Sequence, residues 1–263
     1  MKFFKYQGAG NDFVLIDNRD QQFDTKDTAL VAQLCDRRFG IGADGLMLLQ
    51  QRAGYDFEMV YYNADGNPSS MCGNGGRCIV SFAKHLGIIE KSTRFLAVDG
   101  EHEATINDTA DWVSLKMIDV EHIEKDGDDF VLNTGSPHYV KEVVDLKNLD
   151  VFAAGRAIRY NATYKQAGIN VNFVEAVNDG YQVRTYERGV EDETLACGTG
   201  VTAVALAMAW HHNRLGTYST PIKAMGGDLN IRFTYLGNGV FKDIYLEGPA
   251  KLVFEGLYPG KAF

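Results

Sequence analysis

The chain has 263 residues, of which 45% are hydrophobic and 23% charged, with only five prolines; this suits one large domain or two of about 130 residues and excludes a disordered chain. A net charge of −9, from 26 basic and 35 acidic residues, argues against a duplex-binding face or an anionic-membrane surface, so neither nucleic acid nor membrane is expected as a partner. No signal-peptide pattern or run of about 18 apolar residues is present, and four cysteines are too few for a secreted disulfide framework, so the expectation is a cytoplasmic protein with reduced thiols.

In chain order, Phe13–Asp17 reads as a strand after the turn Gly8–Asn11. Thr28–Phe39 has helical spacing, with Leu30, Val31, Leu34 and Cys35 on one side and Asp27 or Thr28 as the cap. Gly40–Gly45 would end that helix, with buried strands following at Leu46–Leu49 and Phe57–Tyr62. After the loop Asn63–Ser70 comes Met71-Cys72-Gly73-Asn74-Gly75-Gly76-Arg77-Cys78, leading into the apolar run Ile79–Leu86. Arg94–Val98 and Glu101–Ile106 then predict a hairpin about Asp99-Gly100.

The second half repeats this order. Ala196-Cys197-Gly198-Thr199-Gly200 lies 125 positions after the first cysteine motif (197 minus 72) and opens the run Val201–Trp210. Gly135–Val140 answers Gly10–Val14 with one residue inserted, Val151–Arg159 supplies a helix, and Gly168–Asn172 answers Gly40–Asp44. Tyr181–Tyr186 answers Phe57–Tyr62, Ala224–Asp228 answers Ala97–Glu101, and the loop Glu187–Cys197 takes ten steps where Asn63–Cys72 takes nine. Such an order implies an internal duplication. The expected fold class is α+β: two pseudo-symmetric domains, 1–117 with a C-terminal strand 249–263, and 118–248. Each would be a curved, mostly antiparallel sheet wrapped around a central helix, with the active site in the cleft between them. The seam falls in the polar stretch Glu121–Asp129, whose acidic residues lack EF-hand spacing and read as a solvated loop, so no metal is expected.

A helix N-terminus offers unpaired backbone N–H groups and about half a positive charge, which stabilise a thiolate and also receive a carboxylate. Two such thiols on opposite faces of one carbon could remove and return a proton, inverting the centre. Backbone N–H groups of Gly73, Asn74, Gly198 and Thr199 would stabilise the developing enolate-like carboxylate. No Schiff-base lysine motif and no GxGxxG after a strand is found, so no cofactor is expected. Cys35 and Cys78 read as small buried hydrophobes. Alone, His138 beside Pro137 would be a satisfied loop histidine, and Glu187-Arg188 a surface ion pair.

Nearly the whole chain resembles the diaminopimelate epimerases, pyridoxal-independent enzymes that interconvert LL- and meso-diaminopimelate. The signposts are Gly10-Asn11-Asp12-Phe13, Gly40-Ile41-Gly42-Ala43-Asp44, Asn63-Ala64-Asp65-Gly66, Cys72-Gly73-Asn74-Gly75, Ser136-Pro137-His138, Glu187-Arg188-Gly189 and Ala196-Cys197-Gly198-Thr199-Gly200. The resemblance implies that Cys72 and Cys197 form the acid/base pair, Cys197 abstracting and Cys72 donating from LL to meso. It implies that Asn11, Asn63, Ser136, Asn170, Glu187 and Arg188 line the substrate site. Gly73-Asn74 and Gly198-Thr199 would hold the reacting carboxylate, and His138 and Glu187 would tune the thiols. It further implies a place in lysine and peptidoglycan-precursor synthesis and a homodimer packed through Phe254. Ser136 stands where the family usually has Asn, Gly45 where some members have Gln, and the loop before Cys197 is one residue longer than the commoner form. Two other functions compete. A proline-racemase-like enzyme would usually carry His at the position of Asn74, and a catalytically silent binding module would be expected to lack one cysteine.

Overall fold

The computed structural model describes residues 1–69 and 71–259; Ser70, the end of the expected loop, and the last part of the expected strand 249–263 lie outside the described residues. The chain separates into two compact units, Met1–Leu115 together with the segment from Pro249 onward, and Lys116–Gly248.

Unit 1 begins with strands β1 (Lys2–Gly8) and β2 (Asn11–Asp17), helix α1 (Thr28–Cys35) and strands β3 (Gly45–Gln50) and β4 (Phe57–Asn63). Helix α2 (Gly73–His85) follows, then strands β5 (Ser92–Ala97), β6 (Gly100–Ile106) and β7 (Trp112–Lys116). Asp27 caps α1 by accepting from the Leu30 N–H at 3.0 Å. The helix stops at Cys35, four residues before the expected Phe39. The cause is Asp36, extended at ψ 126°, whose carboxylate accepts from the Arg38 and Phe39 N–H groups, both at 2.7 Å, and so offers the backbone an alternative to helix. The hairpin also differs by one residue: Ala97 pairs with Gly100, so its two turn residues are Val98 and Asp99.

Unit 2 contains β8 (Ile123–Asp126), β9 (Asp129–Asn133), β10 (Pro137–Glu142), α3 (Val151–Arg159), β11 (Asn170–Val177), β12 (Gly180–Glu187) and β13 (Asp192–Thr194). Helix α4 (Gly198–His211) and strands β14 (Gly216–Ala224), β15 (Gly227–Gly237) and β16 (Val240–Pro249) complete it, and β17 (Lys251–Leu257) returns to unit 1, pairing with β1. The acidic stretch is a hairpin, not a solvated loop. Asp126 pairs with Asp129, and the nearly buried Asp129 carboxylate accepts from the Tyr139 hydroxyl at 2.6 Å and the Lys141 ammonium at 2.8 Å.

Within each unit most strand pairs are antiparallel, with parallel pairs at β2·β3 and β4·β5 in unit 1 and at β10·β11 and β12·β14 in unit 2. The repeat is therefore visible in pairing, not only in order. Strand register also corrects the sequence alignment. Phe13 pairs with Gly45 and His138 with Asn170, a common offset of 125 (138 minus 13, 170 minus 45), so no residue is inserted between Gly10 and Val14 and their counterparts. Gly45 answers Asn170, which shifts the expected match of Gly40–Asp44 with Gly168–Asn172. The offset falls to 124 in the next strand, where Leu46 pairs with Tyr62 and Val171 with Tyr186, making Glu187 the counterpart of Asn63. The extra step in the loop before Cys197 restores 125.

Each unit is built around its second helix. From Asn74 to Ala83 every residue of α2 is buried, and α2 packs on β1, β2, β3, β6 and β17. Nearly every residue of α4 is buried, and it packs on β9, β10, β11, β12, β14 and β15. Two helices with almost no exposed face lie enclosed by their units, which places each N-terminus, with its cysteine, at the end of a packed core.

Candidate active site

Cys72 and Cys197 are the residues immediately before α2 and α4, with nearly the same backbone: φ −114°, ψ 125° and φ −107°, ψ 110°. The glycine-rich segments do not form a separate turn first; Gly73 and Gly198 are already helical. The Cys72 carbonyl accepts from Gly76 N–H at 2.7 Å and the Cys197 carbonyl from Val201 N–H at 2.9 Å, so each cysteine starts the helical ladder while its side chain makes no cap bond. By helix geometry the N–H groups of Gly73, Asn74, Gly198 and Thr199 then point out of the N-terminus, where an anion would be received.

Around Cys72 the partners are amides and a buried cation. Asn74 donates to Asn11 Oδ1 at 2.5 Å, and Asn11 donates to Asp44 at 3.0 Å. Arg77, fully buried, donates to Asn74 Oδ1 at 2.9 Å and, at 3.4 Å each, to the Gly73 and Pro249 carbonyls. Burial lowers its pKa to about 10, opposed by Cys78 and Cys72, so the guanidinium remains cationic at neutral pH. Its repeat counterpart, 125 positions on, is Thr202, whose hydroxyl donates to the Gly198 carbonyl at 2.9 Å. Thus the same helical carbonyl is satisfied by a charge in one unit and by a neutral hydroxyl in the other. Asn63 lies exposed at the end of β4.

Around Cys197 the partners form a chain. Its sulfur is 3.5 Å from Thr199 Oγ1, which is 2.9 Å from His138 Nε2. His138 is not a loop residue: it sits in β10, fully buried, and burial, with Arg188 adding to the effect, pushes its pKa down to about 3, so the ring is neutral. Asn170 donates to Ser136 Oγ at 2.9 Å and accepts from the Arg188 N–H at 2.9 Å; Arg188 Nη2 reaches Ser136 Oγ at 3.4 Å. Asn170, Ser136 and Arg188 are therefore one cluster, with Ser136 filling the place expected for Asn. Glu187 accepts from the Thr194 hydroxyl at 2.9 Å, and burial raises its pKa. Phe254, on β17, is half-exposed, with its ring edge-on to Phe3.

Sequence reasoning missed Arg77, Asp44, Asn172 and Thr194, all bonded to predicted site residues. Two carried a usable signal, a charge inside an apolar helix for Arg77 and a polar residue inside an apolar strand for Asn172. Among the described residues no group of three or more His, Cys, Asp or Glu side chains could hold a metal ion, and no helix is long and apolar enough to cross a membrane.

The sequence model for diaminopimelate epimerase matches residues 3–123 and 130–253. A protein of that name from Flavobacterium psychrophilum is 53% identical over 256 residues, covering 97% of this chain and 99% of that one. The chain belongs to the diaminopimelate epimerase family. A second family member, from Chlorobaculum tepidum, is 43% identical, covering 95% of this chain and 98% of its own. As a member of the family the chain is an isomerase. Among solved structures, a PhzF-family phenazine biosynthesis protein from Bacillus anthracis superposes with a TM-score of 0.76 at 11% identity, covering 97% of this chain and 98% of that one. A probable proline racemase from Agrobacterium radiobacter superposes at 0.68 with 14% identity, covering 98% and 93%. At such identities these two likenesses establish the fold alone.

Proposed function

We propose that the protein epimerises LL-diaminopimelate to meso-diaminopimelate without a cofactor, using Cys72 and Cys197 as two bases on one α-carbon. The observation that carries this reading is the matched placement of the two cysteines, each directly before the N-terminus of a buried helix with nearly identical φ and ψ. In the LL-to-meso direction the Cys197 thiolate takes the α-proton and becomes a thiol. The C–H electron pair moves into the carboxylate, where N–H groups of Gly73, Asn74, Gly198 and Thr199 receive the developing charge. The Cys72 thiol then gives its proton to the opposite face and is left as a thiolate; the reverse direction exchanges the roles.

Recognition of a diamino diacid needs a second anchor. Arg188 offers a fork for the distal carboxylate, and the Ser136 hydroxyl, already accepting from Asn170 and Arg188, has its own proton to donate. Asn63 and Glu187, at equivalent strand ends, would read the distal ammonium, with Asn11 contributing beside Asn74. The product would supply lysine and peptidoglycan-precursor synthesis, and the half-exposed β17 with Phe254 would serve a homodimer.

Purified protein in D2O with LL-diaminopimelate and no added cofactor should place deuterium at one α-carbon, and Cys72→Ala or Cys197→Ala should abolish epimerisation. No wash-in by the wild type, or full turnover in either variant, would defeat the two-base reading. Turnover of proline in preference to diaminopimelate would transfer the assignment to a racemase of small imino acids.

A further inference from the structure

The duplication supplies an internal control for what surrounds each cysteine. At the offset of 125 set by strand register, Phe13, Met47 and Gly75 of unit 1 correspond to His138, Asn172 and Gly200 of unit 2. In both units the strand side chain presses on the helix so closely that a methyl group on the glycine would collide with it, with Met47 Cε in one and Asn172 Oδ1 in the other. All four side chains are buried to within 1%. A third member follows at offset 124, where Tyr61, edge-on to Phe13 at 5.9 Å, becomes Thr185, whose hydroxyl donates to Asn172 Oδ1 at 3.0 Å. The same place in the same fold thus carries Phe13 and Met47 in unit 1 and the hydrogen-bonded pair His138 and Asn172 in unit 2. Buried polar groups cost free energy unless they are bonded, and unit 1 fills the same place with Phe13 and Met47, so the fold alone does not call for them.

The directions of the bonds can be worked out from one fixed acceptor. The Asn172 nitrogen lies 3.0 Å from the Tyr139 carbonyl and 3.1 Å from His138 Nδ1. A carbonyl only accepts, so this end of the amide is its NH2 group, and its second N–H points at Nδ1, which must be unprotonated. The neutral ring then carries its single proton on Nε2 and donates to Thr199 Oγ1, which leaves that hydroxyl's own proton available to the Cys197 sulfur 3.5 Å away. The charged group acting on the buried ring is Arg188.

We propose that Asn172 is a positioning residue for Cys197: it fixes the Nε2–H tautomer of His138, which turns the Thr199 hydroxyl proton toward the sulfur and favours the thiolate. The proposal rests on the reading of Cys197 as a base. Removing the amide, as in Asn172→Leu, leaves the Nδ1 lone pair and the Tyr139 carbonyl facing a space with no donor, which favours a proton on Nδ1. Thr199 then donates to Nε2 instead of to sulfur.

Nitrogen-15 NMR of the full chain with labelled histidine reads the tautomer directly. The wild type should carry the His138 proton on Nε2, and Asn172→Leu should move it to Nδ1. In a Cys72→Ala background, the pH dependence of Cys197 alkylation by iodoacetamide reads the thiolate. Its midpoint should rise by about one pH unit or more in Asn172→Leu and in Thr199→Val, and no further when the two are combined. A role limited to packing would lower the melting temperature and leave tautomer and midpoint unchanged. Should Asn172→Leu fail to fold, Asn172→Met, which copies Met47, takes its place with the same expectations. A proton on Nδ1 in the wild type, or an unmoved midpoint in a folded variant, overturns the proposal. Neither readout needs turnover, so absence of deuterium wash-in would defeat the epimerase reading separately.

Discussion

Grafting the unit 1 set into unit 2, as His138→Phe with Asn172→Met, should flatten the acid sensitivity of unit 2. His138 has its pKa pushed from the ordinary 6.5 to about 3 in the folded chain, because its charged form would be buried. Below pH 6.5 the unfolded chain binds a proton that the folded chain refuses, so this residue's contribution is complete above 6.5 and is lost as pH falls toward 3. At about pH 4.5, two units below the unfolded value, the loss is about 3 kcal/mol at 1.36 kcal/mol per unit, an upper figure for one histidine. The double variant lacks the group and should not show that increment. It will be weaker at neutral pH, since Tyr139 O and the Thr185 hydroxyl each lose a buried partner at roughly 1–3 kcal/mol, but that loss is common to both pH values. Urea unfolding at about pH 7 and 4.5, followed by Trp210 fluorescence with Trp112 replaced by Phe, measures the difference. An equal pH-dependent loss in wild type and variant would mean that His138 is not held neutral by burial.

Other substitutions test the packing and the thiols. Gly155→Ala, inside α3, gains about 1 kcal/mol by helix propensity, yet its methyl would strike the Tyr186 side chain, so the net effect in a urea titration should be destabilisation of roughly 1–3 kcal/mol; a gain would refute that contact. Arg77→Met removes a buried cation together with the bonds it gives to the Gly73, Pro249 and Asn74 oxygens, for a loss of about 3–5 kcal/mol; a loss below about 1 kcal/mol would contradict the bonds described. Burial pushes the Cys35 and Cys78 thiols up to about 12, so brief iodoacetamide treatment near pH 8 should label Cys72 while sparing both, and equal labelling in the folded protein would count against that burial.

What the sequence made legible was local and repeated. Cys72 and Cys197 could be placed at helix starts because small residues followed by an apolar run signal an enclosed helix, and Val151–Arg159 emerged with its expected ends. Alignment of the two halves was harder, since residue likeness alone cannot fix register. Gly-Ile-Gly against Gly-Ile-Asn suggested an equivalence that the pairing of Phe13 with Gly45 and His138 with Asn170 shifts by three positions. The early end of α1 depended on a side-chain bond from Asp36 that helical spacing does not encode. Least legible was the chain from Asn172 through His138 and Thr199 to Cys197, because its members come from two adjacent strands and a helix, and only their meeting gives any of them a role.

The buried guanidinium of Arg77 also bears on the order in which the protein can be assembled during synthesis. Its carbonyl partner Pro249, the Ala250 carbonyl that accepts from Ser81, and the Ala250 N–H that bonds Asp111 are all made long after the rest of unit 1, as is β17 beside β1. Unit 2, an uninterrupted stretch from Lys116 to Gly248, has all of its residues by then. The amino-terminal half of the chain therefore has a charged helix unsealed and a β1 edge without β17 until nearly the whole chain has been made. That interval is where a nascent chain of this protein has most need of protection from aggregation.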